Sequence, residues 1–240
     1  MIITPMSETV AGELAAQLRL QNWMSAAFPI GAYSYSHGIE AAIQAGWIND
    51  ADSVSDWICD IAEHGSIRND SIFISLAHAA VLADRACDLA DINDLALALS
   101  SGAERRRETV ELGRSFRRAC SVWPLPKADN DNCIDTGTTD DDWALPVVVG
   151  ALTAAHRLPL RSVIAMAAQS SMNNLAWIAT RLVPLGQSST LDMLCRFETL
   201  SARCAECSLQ ADLDDLGSCS VLIDIASLHH ERQHSRVCLT

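Results

Sequence analysis

The sequence predicts an all-α fold, a single-domain helical bundle of about ten helices across residues 1–240. Three observations carry that prediction. Apolar residues recur at helical spacing in one segment after another, and no segment alternates with the period of a strand. Ala and Leu are abundant while aromatics make up only 5% of the chain, a bias that favours helices packed through small residues.

Leu14, Leu18 and Gln21 to Met24 predict a first helix that ends before Phe28-Pro29-Ile30-Gly31. There the proline disfavours helix at Phe28 and the glycine permits a tight turn. Residues 1–12 ahead of this turn are expected to be flexible. Ser36 is expected to cap a short helix carrying Ile39, Ala42 and Ile43, stopped at Gly46. Asp52 or Ser53 is expected to cap the next, with Val54, Trp57, Ile58 and Ile61 facing inward. From Asp70, the positions of Phe73, Leu76, Ala77, Ala80 and Val81 repeat as one face of a helix. Asp91 opens a similar stretch with Ile92, Leu95, Ala96 and Leu99. Ala103 to Cys120 reads as a strongly charged helix whose thin apolar component is Val110, Leu112, Phe116 and Ala119.

Composition then changes. Residues 123–142 read WPLPKADNDNCIDTGTTDDD, too polar to bury, and predict a mobile acidic loop near 124–142 that need not divide independent domains. Helix resumes with Pro146 and Pro159 placed as first-turn prolines. Leu160 to Val183 predicts a long central helix, ended by Pro184-Leu185-Gly186-Gln187. Two more helices are expected over Ser189–Leu209 and Ser218–His229. Residues 230–240 predict a flexible C-terminal tail, too short and polar to hold itself folded.

The formal net charge is −13, from 30 acidic and 17 basic residues. Such a field repels phosphates, so nucleic acid is not expected as a partner. Solubility explains the excess, and so does an acidic face for a basic protein. No stretch reaches the ~20 apolar residues of a membrane span, and the N-terminus lacks the pattern of a secretory signal. Cytoplasmic localisation is therefore expected, with the nine cysteines as thiols.

No catalytic motif survives inspection. There is no G-x-S-x-G elbow, P-loop or G-x-G-x-x-G, and Cys59 near His64 is only a helix-spaced neighbour. Cys204-x-x-Cys207 is the only CxxC pair, and a structural zinc site needs a second. His229, His230, His234 and Cys238 cluster near the C-terminus and read either as a weak divalent-metal site or as solvated tail residues. Asp140 to Asp142 and Asp212, Asp214 and Asp215 lie in polar runs where solvation is the ordinary explanation. The chain is not expected to be an enzyme or to hold a resident metal or cofactor.

Two features resist a purely structural reading. The segment 104–118 holds Arg105, Arg106, Arg107, Arg114, Arg117 and Arg118, suited either to carboxylates on a partner or to internal Glu–Arg pairs. FPIGAYSYSHGIE, residues 28–40, sets two tyrosines and a histidine around a turn. Capping accounts for Ser36 and Gly31 but not for Tyr33, Tyr35 and His37, and tyrosine is favoured at protein interfaces.

Residues 28–48, FPIGAYSYSHGIEAAIQAGWI, resemble the N-terminal signature of the urease accessory protein UreF family. Glu111-Leu-Gly-Arg-Ser115, Arg181-Leu-Val-Pro-Leu-Gly-Gln187 and His230-Glu-Arg-Gln-His-Ser-Arg236 agree in order, so the resemblance runs from about Gln21 to the C-terminus. It implies an all-α homodimer that joins UreD (also called UreH) and the GTPase UreG, influences the GTPase cycle, and serves nickel delivery to apo-urease. By position it implies partner-binding residues Tyr33, Ser34, Tyr35, Ser36, His37 and Glu40 on the turn, and His230, Glu231, Ser235 and Arg236 in the tail. Arg107, Glu111, Arg114 and Arg118 are expected on a GTPase-partner or dimer face. The tail resembles one that orders when UreD binds, and Arg236 is expected to dock near the Gly31–Ser36 turn. Val237-Cys238-Leu239-Thr240 departs from the family's Leu-Phe ending, His234 replaces a common Tyr, and the acidic loop is longer than expected. Two alternatives stand: a nickel-binding metallochaperone using His229, His230, His234 and Cys238, and a helical enzyme with two carboxylates desolvated in one cleft.

Overall fold

The computed structural model describes residues 8–125 and 142–239, and among them it holds ten α-helices and no strand. The flexible segment expected at 1–12 and the acidic loop expected at 124–142 lie largely outside the described residues. In chain order the helices are α1 (Glu8–Trp23), α2 (Ile39–Gln44), α3 (Ala51–His64), α4 (Ser66–Leu82), α5 (Ala86–Ala98), α6 (Ala103–Cys120), α7 (Leu145–Ala155), α8 (Leu160–Leu182), α9 (Gln187–Ser208) and α10 (Val221–His230). Short 3₁₀ turns occupy Ala32–Ser34 and Leu213–Asp215. No helix among the described residues is long and apolar enough to cross a membrane.

The helix boundaries differ from the sequence expectations where capping was misassigned. Gly38, not Ser36, precedes α2, and the Ser36 hydroxyl lies 3.5 Å from the Glu40 N–H, too long for a firm cap. The cap of α3 is Asp50, upstream of the expected Asp52 or Ser53. Its carboxylate accepts from the Ser53 N–H at 2.8 Å while the Ser53 hydroxyl accepts from the Asp50 N–H at 3.1 Å, a reciprocal capping box. Asp70 and Asp91 lie inside α4 and α5 rather than at their starts. Pro159 stands just before α8, while Pro146 is in the first turn of α7 as expected. Gly46, at φ 76°, supplies the left-handed stop after α2.

Packing divides the interior into three contiguous clusters. Ile39, Ile58, Ile61, Met172, Leu175 and Phe197 join α2, α3, α8 and α9. Leu20, Trp23, Phe28, Phe116, Val149 and Ile164 join α1 to α6, α7 and the start of α8. Phe73, Ala77, Leu89, Ile92, Val147 and Ala151 join α4, α5 and α7. Trp23 stands edge-on to both Phe116 and Trp123, with ring centroids 5.8 Å apart in each pair. α8 contributes to two clusters, consistent with its expected central position. The helix buried all round is the shorter α7, in which every residue from Pro146 to Ala154 is buried. Its continuous apolar sequence has no polar face to offer solvent.

Gly150 sets how closely α7 and α4 approach. A Cβ there would fall inside contact distance of the Ile74 carbonyl oxygen and meet Ala77 Cβ at 2.9 Å. Gly150→Ala is therefore expected to destabilise by about 2 kcal/mol through overpacking, read as a lower urea midpoint. Gly12→Ala on α1, where a Cβ meets nothing within 4 Å, is the control and should be neutral or slightly stabilising.

Candidate functional site

The turn entering α2 is held through its own backbone. Gly31 adopts φ 83°, a left-handed conformation that glycine reaches without strain, and the chain then tightens into the 3₁₀ turn. The Ala32 carbonyl accepts from the Asn174 side-chain amide at 2.9 Å, and the Tyr33 carbonyl accepts from Arg181 at 2.9 Å. The Ser34 carbonyl accepts from the Leu239 N–H at 2.6 Å. Three successive carbonyls are thus taken by α8 and the C-terminal tail, and the Tyr33 ring is left 65% exposed on a rigid base. Tyr35 turns inward and its hydroxyl donates to Glu111 at 2.8 Å. Burial, and then this bond to a carboxylate, raise its phenol above the ordinary range. Gly38, at φ 77°, lies against α10, where a Cβ would meet Ala226 Cβ and the Ser227 nitrogen at 3.0 Å.

Beneath the turn lies a buried charge network. Arg105 pairs with Glu108 at 2.5 Å, both side chains being largely withdrawn from solvent. His37 sits at φ 49° with its Nε2 2.9 Å from Glu108 and 2.7 Å from Arg105. Burial, then the Arg105 charge, push the His37 pKa down. The ring is therefore neutral, and its contact with Glu108 is a hydrogen bond rather than an ion pair; Arg105 and Glu108 are the ion pair. Burial would raise the Glu108 carboxyl, but Arg105 and His37 outweigh it and hold the group down at about 2.

Asp70 on α4 faces the same Arg105 and behaves oppositely. Burial drives its pKa up to about 6, with the Arg105 attraction only partly offsetting it. A folded-state pKa above the unfolded value means the proton-bound form is favoured by folding. That contribution is complete below about pH 4 and is lost as pH rises through about 6. Asp70→Asn should therefore stabilise the chain by about 2 kcal/mol at pH 8, a figure discounted for partial solvent access. The gain should vanish near pH 4 in parallel melts.

The C-terminal tail, expected to be flexible at 230–240, lies against α2 and α6 through residues 230–239. The Val237 and Cys238 N–H groups each donate to the Glu40 carboxylate at 2.8 Å. His230 is fully buried with its two ring nitrogens 3.4 Å from Glu40 and 3.2 Å from Glu104. Arg236 pairs with Glu104. Glu231 accepts from the Glu104 N–H at 3.0 Å and so supplies to α6 the cap that Gly102, with no side chain, lacks. Burial raises the Glu40 carboxyl, but the two backbone donors and His230 outweigh it and leave its pKa lowered. In this arrangement the tail, too short and polar to hold itself folded, sets its backbone donors on the Glu40 carboxylate. Arg236, expected to dock near the Gly31–Ser36 turn, pairs with Glu104 on α6, and the tail meets that turn through Leu239.

These placements sort the expected partner-facing residues. Tyr33, Ser235 and Arg236 are exposed, Ser34, His37 and Glu231 are half-buried, and Tyr35, Ser36, Glu40 and His230 are buried. The buried group holds the platform and does not face outward. On α6, Arg107, Glu111, Arg114 and Arg118 are exposed, although Glu111 also receives Tyr35 and Arg114 pairs with Asp142 at 2.8 Å. The arginine-rich helix thus combines the two readings its sequence left open, internal pairing through Arg105 and outward display through Arg107 and Arg118. Sequence reasoning missed Asp70, Glu104, Glu108 and Asn174. An i, i+3 spacing of Arg105 and Glu108 was the only local signal among them.

The cluster proposed for metal is not assembled. His229 and His234 are exposed, His230 is occupied by two carboxylates, and Cys238 is buried against Glu40. Among the described residues no group of three or more His, Cys, Asp or Glu side chains is arranged to hold a metal ion. Cys204 is buried in α9, its thiol 3.6 Å from the Ala62 carbonyl, while its CxxC partner Cys207 is exposed. A cleft with two carboxylates does exist, since Asp70 and Glu108 line one cavity. Glu108 has one oxygen on His37 and the other on Arg105, which leaves a single carboxyl, Asp70, rather than an acid–base pair.

A family model described as UreF matches residues 48–198. The chain is 38% identical over 221 residues to the urease accessory protein UreF of Methylorubrum populi, covering 92% of this chain and 97% of that protein. It is 37% identical over 241 residues to the protein of the same description from Rhodopseudomonas palustris strain HaA2, covering 97% and 99%. Against that of Bradyrhizobium diazoefficiens it is 36% identical over 243 residues, with 99% of each chain covered.

Proposed function

Because the chain belongs to the UreF family, we propose that it is a non-enzymatic adaptor and chaperone of urease maturation. In this reading it acts in the cytoplasm as a homodimer, built from a single domain, that bridges UreD (UreH) and the GTPase UreG. Nickel delivery to apo-urease is the outcome of that assembly. One observation carries the reading. The four sequence stretches that resemble the family, far apart in the chain, meet at one turn: Glu111 receives Tyr35, Arg181 holds the Tyr33 carbonyl, and the tail bonds Ser34 and Glu40. Such convergence builds a rigid display surface, because three of these four contacts hold backbone and the fourth seats a tyrosine hydroxyl on a carboxylate.

What that surface displays suits a protein partner. Tyr33, Val237 and Leu239 are 65%, 74% and 56% exposed, apolar side chains set around a satisfied polar base. This patch is the proposed UreD face, with Ser235 and Arg236 at its edge. Arg107 and Arg118 on α6 suit carboxylates of UreG or of a second copy. A metallochaperone built on the C-terminal histidines has less support, since His230 is fully buried between carboxylates.

Co-expression with tagged UreD and UreG, followed by size-exclusion chromatography with and without GTP, tests the reading. A complex containing all three chains is expected; absence of any complex would overturn it. Arg236→Ala should weaken UreD retention and urease activation, and if both were unchanged the tail would drop out of the proposed interface.

A further inference from the structure

A cavity of about 120 Å³ opens beside the turn. Its mouth is marked by Ser25, Ala26 and Tyr33, all exposed, and its walls include Trp23, Phe28, Ile74, Phe116, Val149 and Leu175, all buried. A single water needs only about 10–15 Å³ of such space, and a dry apolar cavity of about 150 Å³ admits benzene. The size therefore fits a body of about five heavy atoms, well below the roughly 300 Å³ at which drug-sized sites begin.

One part of the lining is polar and carries a net negative charge. Asp70, Arg105, Glu108 and His37 all line the cavity. Arg105 and Glu108 neutralise one another, and His37 is neutral, so the uncompensated charge is that of Asp70. The Asp70 carboxylate accepts no hydrogen bond from another described residue, and α8 adds the hydroxyls of Ser170 and Ser171. A half-buried carboxylate without a donor, beside apolar walls, is incomplete as a structural element.

We propose that this cavity binds a small organic cation, a protonated amine on an apolar stem of about four carbons, with the ammonium on Asp70 and the stem against the Trp23–Phe116 wall. The chemistry is shared by a free alkylamine and by a lysine side chain of a partner protein. It lies beyond the adaptor role and does not depend on it. A cation would replace the proton that Asp70 otherwise retains, so binding strengthens as pH rises through about 6. Arg105 and Glu108 on α6, with Tyr33 and His37 ahead of α2, are the other ionisable groups facing the site. Of these, Glu108 stays ionised across that range, and the lowered pKa of His37 favours its neutral ring.

Two-dimensional amide NMR of the full chain, titrated with n-butylammonium at pH 7.5, reads the site directly. Saturable shifts centred on Trp23, Tyr33 and Asp70 are expected, with at least tenfold weaker binding for n-butanol, for Asp70→Asn and for wild type at pH 5. Ala167→Leu, which fills the cavity while leaving Asp70 in place, should also abolish binding; it guards against a fold change in the first variant. No saturable shift, or equal binding by Asp70→Asn, overturns the proposal. A capped Gly-Lys-Gly peptide separates the sources: the same Asp70-dependent shifts assign a partner's lysine, and their absence beside n-butylammonium binding assigns a free amine.

Discussion

Glu108→Ala is expected to cost about 3–5 kcal/mol, because it strips the counter-charge from a guanidinium that the fold has withdrawn from water. Arg105 is the 2.5 Å partner of Glu108, and His37 holds its left-handed backbone with a 2.9 Å contact to the same carboxylate. Losing the carboxylate removes the partner both share and leaves Arg105 only the charges of Asp70 and Asp224. Glu108→Gln keeps a hydrogen-bonding partner for His37 but not the charge, and should recover only part of the loss. The pH dependence has a definite sign. With its folded pKa at about 2, Glu108 contributes stability that is complete above its unfolded value of about 4.3. That stability is lost as pH falls toward 2, so the gap between wild type and variant narrows in acid. Asp70, relieved of the Glu108 charge and still facing Arg105, should titrate lower in the variant than at about 6. Equilibrium urea unfolding at pH 7 and pH 3, with NMR titration of Asp70, checks all three statements. A loss below 1 kcal/mol at pH 7 would mean that the pair is solvated and does not organise the turn.

Glu40→Ala is expected to release the tail, and its clearest readout is the thiol of Cys238. Wild-type Cys238 is 4% exposed, and burial followed by the Glu40 charge pushes its thiol pKa up to about 11. Without Glu40, the Val237 and Cys238 N–H groups lose their acceptor and regain it only by reaching water. Undocking returns the thiol to an ordinary pKa near 8.5, and since the thiolate is the reactive form, maleimide labelling at pH 8 should accelerate about a hundredfold. Mass mapping is needed because Cys87, Cys195, Cys207 and Cys219 are exposed in either case. Cys204, buried in α9 with its own pKa raised to about 11, should stay slow and report that the core is intact. Unchanged labelling of Cys238 would mean that Leu239 and the Arg236–Glu104 pair hold the tail without Glu40. Stability should fall by about 3 kcal/mol at most, since a surface segment can detach without opening the core.

Helix existence was legible from the chain, and helix edges less so. α6 was expected at Ala103–Cys120 and is found there, because its charged and apolar faces alternate with a clear helical period. The start of α3 was misplaced because Asp50, Asp52 and Ser53 are all competent caps, and only backbone geometry selects Asp50. The same divide runs through the site. Tyr33 and Tyr35 stood out by their chemistry, yet one ring projects into solvent and the other is buried on Glu111. Nothing local separates two tyrosines two residues apart.

By itself, the sequence determined the helical class, the helices and the turn at Gly31, since apolar period, proline and glycine act over a few residues. It also carried the family, through stretches whose order survives without any knowledge of their contacts. Only the tertiary structure decided that Glu40, Glu108 and His230 are withdrawn from water, that Asp70 faces a cavity, and that the tail is docked. Those facts rest on residue pairs as far apart as Glu40 and Cys238. A carboxylate's burial and charge state belong to the neighbours that folding brings to it, and its own position in the chain does not encode them.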